Sequence, residues 1–348
     1  MGEMDIRPFI LDLNQSEILN ILSSLGEPNY RVNQVWDGLY RQLWDDIDQF
    51  TSLPLTLRAS LNEQFIFSHL IPVKTIHSND RMTTKTLFHL PDKSAIEAVL
   101  MHYDKRHTLC LSTQAGCALG CVFCATGQMG FRRNLSSGEI IEQVLYYARN
   151  LKGHGERVTN IVLMGMGEPF HNYEATMEAI ERLNNADGFN LGMRRFTIST
   201  VGLVPAIRRF SAEKRQINLA VSLHAANDQL RSTMLPINNK YPLDELFDAC
   251  RNYVNQTHRR ITFEWALIED VNDRPEHARE LADRIRGLLC HVNIIPLNPT
   301  SKYQRHASSR QNTLAFKAIL EEQGIPCTVR LRRGIEIQAG CGQLAAND

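Results

Sequence analysis

Apolar residues near the start of the chain recur at helical spacing. Asn14 with Glu17 three residues on has the form of a capping box, Ile18, Leu19, Leu22 and Leu25 make a stripe, and Gly26 is a stop. A second stripe, Val32, Val35, Trp36, Leu39 and Leu43, predicts another helix, and a third is expected from Leu57 to Phe65 after Leu53-Pro54. Residues 1–80 therefore read as a small helical domain, with packing support or substrate docking as its role.

From Arg81 the texture becomes β. Strands are expected from Thr83 to Leu90, Ser94 to Met101 and Thr108 to Ser112, with turns at Pro91-Asp92 and around Asp104. Beyond Ser137, amphipathic helices alternate with short apolar strands as far as Cys327 to Leu331. Repeated βα units joined by right-handed crossovers give a parallel sheet, open or partly closed into a barrel, whose site lies at the strand C-termini. The expected organisation is a helical domain over 1–80, a β extension over 81–107 and an α/β core over 108–348.

Composition narrows the class. The 348 residues are 43% apolar and 22% charged, ordinary for a globular protein. No apolar run approaches the roughly 20 residues that span a bilayer, and Met1 to Asp12 lacks the pattern of a secretory signal. A cytoplasmic, reducing compartment is the expectation, where clustered cysteines serve metal binding or catalysis rather than structural bridges. Lys plus Arg equals Asp plus Glu at 38 each, so overall charge does not argue for nucleic acid. Basic doublets recur nonetheless at Lys105-Arg106, Arg132-Arg133, Arg194-Arg195, Arg208-Arg209, Arg259-Arg260 and Arg332-Arg333. A solvated surface explains such doublets more simply than phosphate contacts.

Candidate chemistry concentrates between Cys110 and Phe131. Cys117, Cys121 and Cys124 have C-x3-C-x2-C spacing, with Gly116 and Gly120 allowing close backbone approach. Soft thiolates suit iron or zinc. A [4Fe-4S] cluster held by three cysteines keeps one iron open, a zinc site needs a distant fourth ligand, and buried structural cysteines remain the third option. A second signal is Gly165-Met166-Gly167-Glu168-Pro169 at a strand end, where glycines admit a small ligand and a carboxylate can accept hydrogen bonds from an ammonium.

These two motifs together resemble the radical S-adenosylmethionine superfamily, and Cys110 to Phe131 closely resembles the RlmN-type adenine C2 methyltransferases. The resemblance covers nearly the whole chain, including Arg195-Phe-Thr-Ile-Ser199-Thr, Ser222-Leu223-His224-Ala225, Val271-Asn272-Asp273, Ile295-Pro296-Leu297-Asn298-Pro299 and Ala339-Gly340-Cys341-Gly342-Gln343-Leu344. It implies a partial (β/α)6 barrel, a [4Fe-4S] cluster on Cys117, Cys121 and Cys124, and S-adenosylmethionine held by positions matching Gly167, Glu168, Ser199, Ser222, Leu223, His224 and Asn298.

The implied substrate is an adenosine at the peptidyl transferase centre of 23S rRNA, with the adenosine 3′ of the anticodon in some tRNAs as a second. In the family, the cysteine matching Cys341 is methylated by one S-adenosylmethionine, and a second is cleaved to a radical that takes a hydrogen from that methyl. The resulting methylene adds to carbon 2 of the base, a glutamate matching Glu97 removes the ring proton, and a thiolate matching Cys110 resolves the RNA adduct as a disulfide. From its own surroundings, Glu97 reads as the solvent-facing residue of an alternating strand, and Cys110 as a small core residue. The resemblance further implies a monomer supplied with electrons by a flavodoxin-type reductase, with no membrane. The rivals are a related C8 methylase and an RNA-binding protein with a structural metal site. A short, non-basic C-terminal end departs from the longer basic tail common in the family, which gives the internal basic doublets more importance.

Overall fold

In the computed structural model, which describes residues 7–346, Asn14 caps α1 (Gln15–Ser24) with the reciprocal bonds its spacing to Glu17 predicts. Residues 1–6, part of the stretch searched for a secretory signal, lie outside the described residues. α2 (Arg31–Asp37) runs into a π-helical turn, Gly38–Gln42, and α3 (Leu55–Gln64) follows. Their stripes, Ile18, Leu22, Val35, Trp36 and Leu61 among them, join one continuous core with the barrel residues. Polar ties fix the join: Gly138 N donates to Asp12 Oδ1 at 2.8 Å, and the Arg182 guanidinium reaches the carbonyls of Leu11 and Asp12.

The β extension begins at Ile71 rather than at Arg81. β1 (Ile71–His77) is an exposed edge strand with no buried face, so it carries no apolar alternation to read. It opens an antiparallel meander with β2 (Thr83–His89), β3 (Ala95–Tyr103) and β4 (Arg106–Cys110), in which Val99 stands opposite Cys110. A small separate pair, β5 (Gln114–Gly116) and β6 (Phe131–Asn134), closes the base of the cysteine loop, with α4 (Ala125–Met129) between them.

The remaining chain alternates as its pattern predicts: α5 (Ser137–Lys152), β7 (Asn160–Leu163), α6 (Tyr173–Asn184), β8 (Phe196–Thr200), α7 (Val204–Ala212) and β9 (Asn218–Ser222). Then come α8 (Asp228–Met234), α9 (Leu243–Thr257), β10 (Ile261–Leu267), α10 (Pro275–Ile285), β11 (Cys290–Pro296), α11 (Arg310–Glu322) and β12 (Cys327–Val329). The short α8 is the one helix of this series absent from the sequence expectation. From β4 through β7 to β12 the neighbouring strands are all parallel, and each of the first six is followed by helix, giving the partial (β/α)6 barrel.

β1 and β12 are the edges of the ten-stranded sheet, so the barrel stays open on one side. The C-terminal segment crosses that opening. Its backbone is tied to the β11 end through Asn298 and to the meander through Lys85, which donates to Gln338 O, and Glu97, which accepts from Ala345 N.

Candidate functional site

The C-terminal strand ends converge on a cavity of about 970 Å³ of empty space, open to solvent. β7 delivers Gly165, Gly167 and Glu168 to it. Gly167 has φ +98°, and a side chain there would place Cβ 2.5 Å from Gln114 Cβ, so only glycine fits. Glu168 is buried, with Oε1 accepting from Phe170 N at 3.1 Å and Oε2 from Val201 N at 3.0 Å. Burial outweighs those two bonds and pushes its carboxyl up to about 7. A ligand ammonium placed here restores the ionised form, because opposite charge lowers a carboxyl pKa where desolvation raised it.

β8 and β9 bring Ser199 and Ser222 to the same wall, their hydroxyls 3.4 Å apart. His224 follows in the left-handed region, φ +61°. Its Nδ1 accepts from Ala266 N at 2.8 Å, which fixes the proton on Nε2, and burial drives its pKa down to about 3. The ring is therefore a neutral donor. Asn272, in the Val271-Asn272-Asp273 motif, holds the turn by donating to His224 O at 2.8 Å and Ala266 O at 2.7 Å. Leu223 is fully buried and does not line the cavity; its N–H bonds to Glu264 O and its carbonyl accepts from Arg231 Nε.

Arg231, unmarked by any sequence motif, ties these loops together. It is fully buried without a carboxylate partner and donates to the carbonyls of Val201, Ser222 and Leu223 and to Asn238 Oδ1. Burial lowers its pKa to about 10, still far above neutral, so it remains a cation. A charged hydrogen bond to a carbonyl is worth about 1.5–3 kcal/mol. Nothing in the sequence distinguishes such an arginine from a solvated one.

The cysteine loop lies across the cavity. Gly116, at φ +74°, would meet Gly130 O at 1.9 Å if it had a Cβ, and Cys117 N donates to that same carbonyl at 2.9 Å, so β5 and β6 pinch the loop closed. Cys117 and Cys121 are buried, Cys124 caps α4, and Cys121 and Cys124 line the cavity. Burial first, and then the neighbouring Cys124, hold the Cys121 and Cys117 thiols above the usual range, so thiolates here call for a compensating cation. Three soft thiols supplied by one loop are the donor set that a [4Fe-4S] cluster with one open iron takes.

Cys341 comes to this wall from the far end of the chain. Asn298 Nδ2 donates to its carbonyl at 3.2 Å, Ala125 N donates to Gly342 O at 2.7 Å and Thr126 Oγ1 to Leu344 O at 2.6 Å. The last two bonds fasten the Cys341 loop directly onto the helix that follows Cys124. Cys341 also lines a second cavity, of about 600 Å³, that contains Cys110 at the end of β4. Burial, then the neighbouring Cys341, pushes the Cys110 thiol up to about 12, and the Arg330 charge opposes this. Arg330 lines both cavities and is held protonated by Cys341 despite burial, with Glu264 adding to it. All eight cysteines are free thiols.

Glu97 is buried, not solvent-facing. Its Oε1 pairs with Lys85 Nζ at 2.7 Å and its Oε2 accepts from Ala345 N at 2.9 Å, because the C-terminal segment covers this face of β3. Its side chain lines neither of the two cavities containing Cys341; it borders a third, beside Lys85 and Gln338.

Two family models match this chain. Residues 111–284 match the family model of the radical SAM superfamily, and residues 10–67 match that of the ribosomal RNA large subunit methyltransferase N-terminal domain. The chain is 48% identical to the probable dual-specificity RNA methyltransferase RlmN of Chloroflexus aurantiacus, over 97% of this chain and 92% of that protein. It is also 48% identical to the dual-specificity RNA methyltransferase RlmN 1 of Myxococcus xanthus, over 97% and 94%. The crystal structure of a radical SAM methyltransferase from Sphaerobacter thermophilus superposes with a TM-score of 0.96 at 50% identity, covering 98% of this chain and all of that one.

Proposed function

Because the chain belongs to the RlmN family of radical SAM methyltransferases, we propose that it methylates carbon 2 of an adenosine in 23S rRNA, and of an adenosine in tRNA, through Cys341. It is an RNA methyltransferase that uses a [4Fe-4S] cluster and S-adenosylmethionine. The observation that carries the finer assignment is the position of Cys341, which faces both the cofactor-side cavity and the cavity of Cys110.

Cys117, Cys121 and Cys124 would hold the cluster. Bound there, the cluster supplies the electron that cleaves S-adenosylmethionine and so provides a radical able to act on an unactivated carbon. Glu168 would accept hydrogen bonds from the cofactor's ammonium, while Ser199, Ser222, His224 Nε2–H and Asn298 would orient the rest of it. The strand-end geometry around Gly167 keeps that wall free of side chains. Cys341 Sγ carries the methyl carbon to the base as a thioether. The Cys110 thiolate then attacks Cys341 Sγ: the new S–S bond forms as the C–S bond to the RNA breaks, its electron pair leaving with the methylated base. Arg330, facing both sulfurs, favours the thiolate that this exchange needs. The family resemblance gives Glu97 the ring proton, although its carboxylate here faces Lys85 and Ala345 N rather than the Cys341 cavities; through Ala345 N it holds the Cys341 segment against β3.

No helix among the described residues is long and apolar enough to cross a membrane. We propose a cytoplasmic monomer that receives electrons from a flavodoxin-type reductase. The deciding experiment is an anaerobic assay of the reconstituted protein on ribosomal RNA and tRNA side by side, with nucleoside mass spectrometry that separates 2-methyl- from 8-methyladenosine. The expected product is 2-methyladenosine from both. 8-Methyladenosine would transfer the chain to the C8 methylases, and a protein that takes up zinc but no iron would end the assignment.

A further inference from the structure

Six basic doublets stand out in the sequence, and the structure sorts them. Arg133 is taken by Asp92 and Glu139, Arg209 by Glu174 and Glu213, and Arg259 by the amide oxygens of Gln216 and Asn218. Two doublets, 227 positions apart, behave differently. Arg106 and Arg333 both stack on the ring of Tyr103, at 4.3 and 4.6 Å from its centroid. Neither they nor Arg332 form an ion pair with a carboxylate among the described residues; Asp80 senses the Arg333 charge without pairing with it.

Their place is as telling as their freedom. Tyr103, Arg332 and Arg333 line the second cavity, whose floor follows β3 from Val99, opposite Cys110, to Tyr103, opposite Arg106. Four residues of strand span about 13 Å, the scale of a nucleotide from base edge to a neighbouring phosphate. At the lip, Leu331 is 75% exposed and Arg332 is exposed beside it. Stacking on an aromatic ring fixes the plane of a guanidinium while leaving its N–H edge free, the geometry that bidentate phosphate binding uses. Arg333 is further fixed by donating to His102 O at 3.0 Å, and Arg332 by donating to Leu297 O at 3.3 Å.

We propose that the cavity of Cys110 and Cys341 is the entry groove for the target nucleotide, and that Arg106, Arg332 and Arg333 hold phosphates of the RNA strand flanking it. The inference rests on the RNA methyltransferase function proposed above and adds the path by which the RNA reaches Cys341. An overall charge of zero is no obstacle, because the acid groups that neutralise Arg133 and Arg209 have no counterpart paired with Arg106, Arg332 or Arg333 among the described residues.

The test is the salt dependence of RNA binding by the full, anaerobically reconstituted chain, read by fluorescence anisotropy of a labelled RNA stem-loop with an unpaired adenosine. On a single strand the slope of log affinity against log salt weakens by about 0.7 for each phosphate that the protein no longer neutralises. Arg106→Ala, Arg332→Ala and Arg333→Ala should each weaken it by about that amount, the triple variant by about 2, and Arg333→Lys should keep it, since the slope counts charge. Arg208→Ala, on an exposed helix position of another doublet, should match the unaltered protein. A steep slope in the unaltered protein that none of the three substitutions changes would overturn this groove while leaving the methyltransferase function standing. Unchanged RNA slopes together with slower reductase-dependent cleavage of S-adenosylmethionine would assign the arginines to an acidic redox partner instead. No RNA binding by the unaltered protein would remove the proposal and the function beneath it together.

Discussion

Asn298 donates from Nδ2 to the carbonyl oxygen of Cys341 at 3.2 Å, so a side chain of the cavity lined by Cys121, Cys124 and Glu168 fixes the backbone of the Cys341 loop. The fit is tight: a Cβ on Gly340 would fall 2.5 Å from the same nitrogen. Gln343 closes the turn by accepting from Gly340 N at 3.1 Å and donating to Pro299 O. The end of β11 and the Cys341 loop are thereby linked through one amide.

Asn298→Ala removes that link without opening a large void. A missing hydrogen bond of about 1 kcal/mol predicts a fall of roughly fivefold in RNA methylation, larger than any change in S-adenosylmethionine affinity. Equilibrium binding of the cofactor measured beside single-turnover methylation checks this; equal losses in both would mean that Asn298 acts on the cofactor alone.

Glu97 separates into two duties by substitution. Glu97→Gln cannot take the ring proton, so covalent protein–RNA adduct should accumulate on denaturing gels, and because its one amide oxygen cannot serve both Ala345 N and Lys85 Nζ the unfolding midpoint should fall as well. Glu97→Ala leaves Lys85 buried without its partner, which costs about 3–5 kcal/mol, and urea titration should show it. A Gln variant with full turnover would leave Glu97 as an anchor only.

Cys110→Ala should trap an RNA adduct on Cys341, and Cys341→Ala should form none. The pair is informative because the two thiols are close enough for Cys341 to raise the Cys110 pKa in the buried cavity, yet lie 231 positions apart. Peptide mapping of the adduct decides it; no trapped species with Cys110→Ala would remove Cys110 from the release step.

His224 gives a pH signature. Its folded pKa, about 3, lies below the ordinary 6.5, so from about pH 6.5 downward the unfolded chain binds a proton that the folded chain refuses. Stability contributed by the neutral ring is complete above pH 6.5 and is lost on acidification toward pH 3, by about 1.4 kcal/mol per pH unit. Urea midpoints at pH 7.5 and 5.5 should differ by more in the unaltered protein than in His224→Gln. Nitrogen-15 NMR should show the Nε2–H form unchanged across that interval.

The barrel was legible because its pattern is local. Short apolar strands such as β7 and β10, each followed by a helical stripe, leave few ways to bury both faces of a parallel sheet. β1 left no trace, since an edge strand with no buried face needs no alternation. Chemistry confined to one loop, as at Cys117, Cys121 and Cys124, or to one strand end, as at Gly167-Glu168, was equally visible.

What the sequence by itself determined, then, is the order of elements, the three closely spaced thiols of one loop and the glycines that make room beside Glu168. The burial of charge was decided by tertiary structure. Arg231 and Glu97 are ordinary surface residues by pattern, and they become interior ones, with Arg330 half-buried, because loops from distant strands and the C-terminal segment close over them. The same holds for the two doublets on Tyr103. A cation's role depends on which carboxylates or carbonyls reach it, and that is a property of three-dimensional proximity rather than of spacing along the chain.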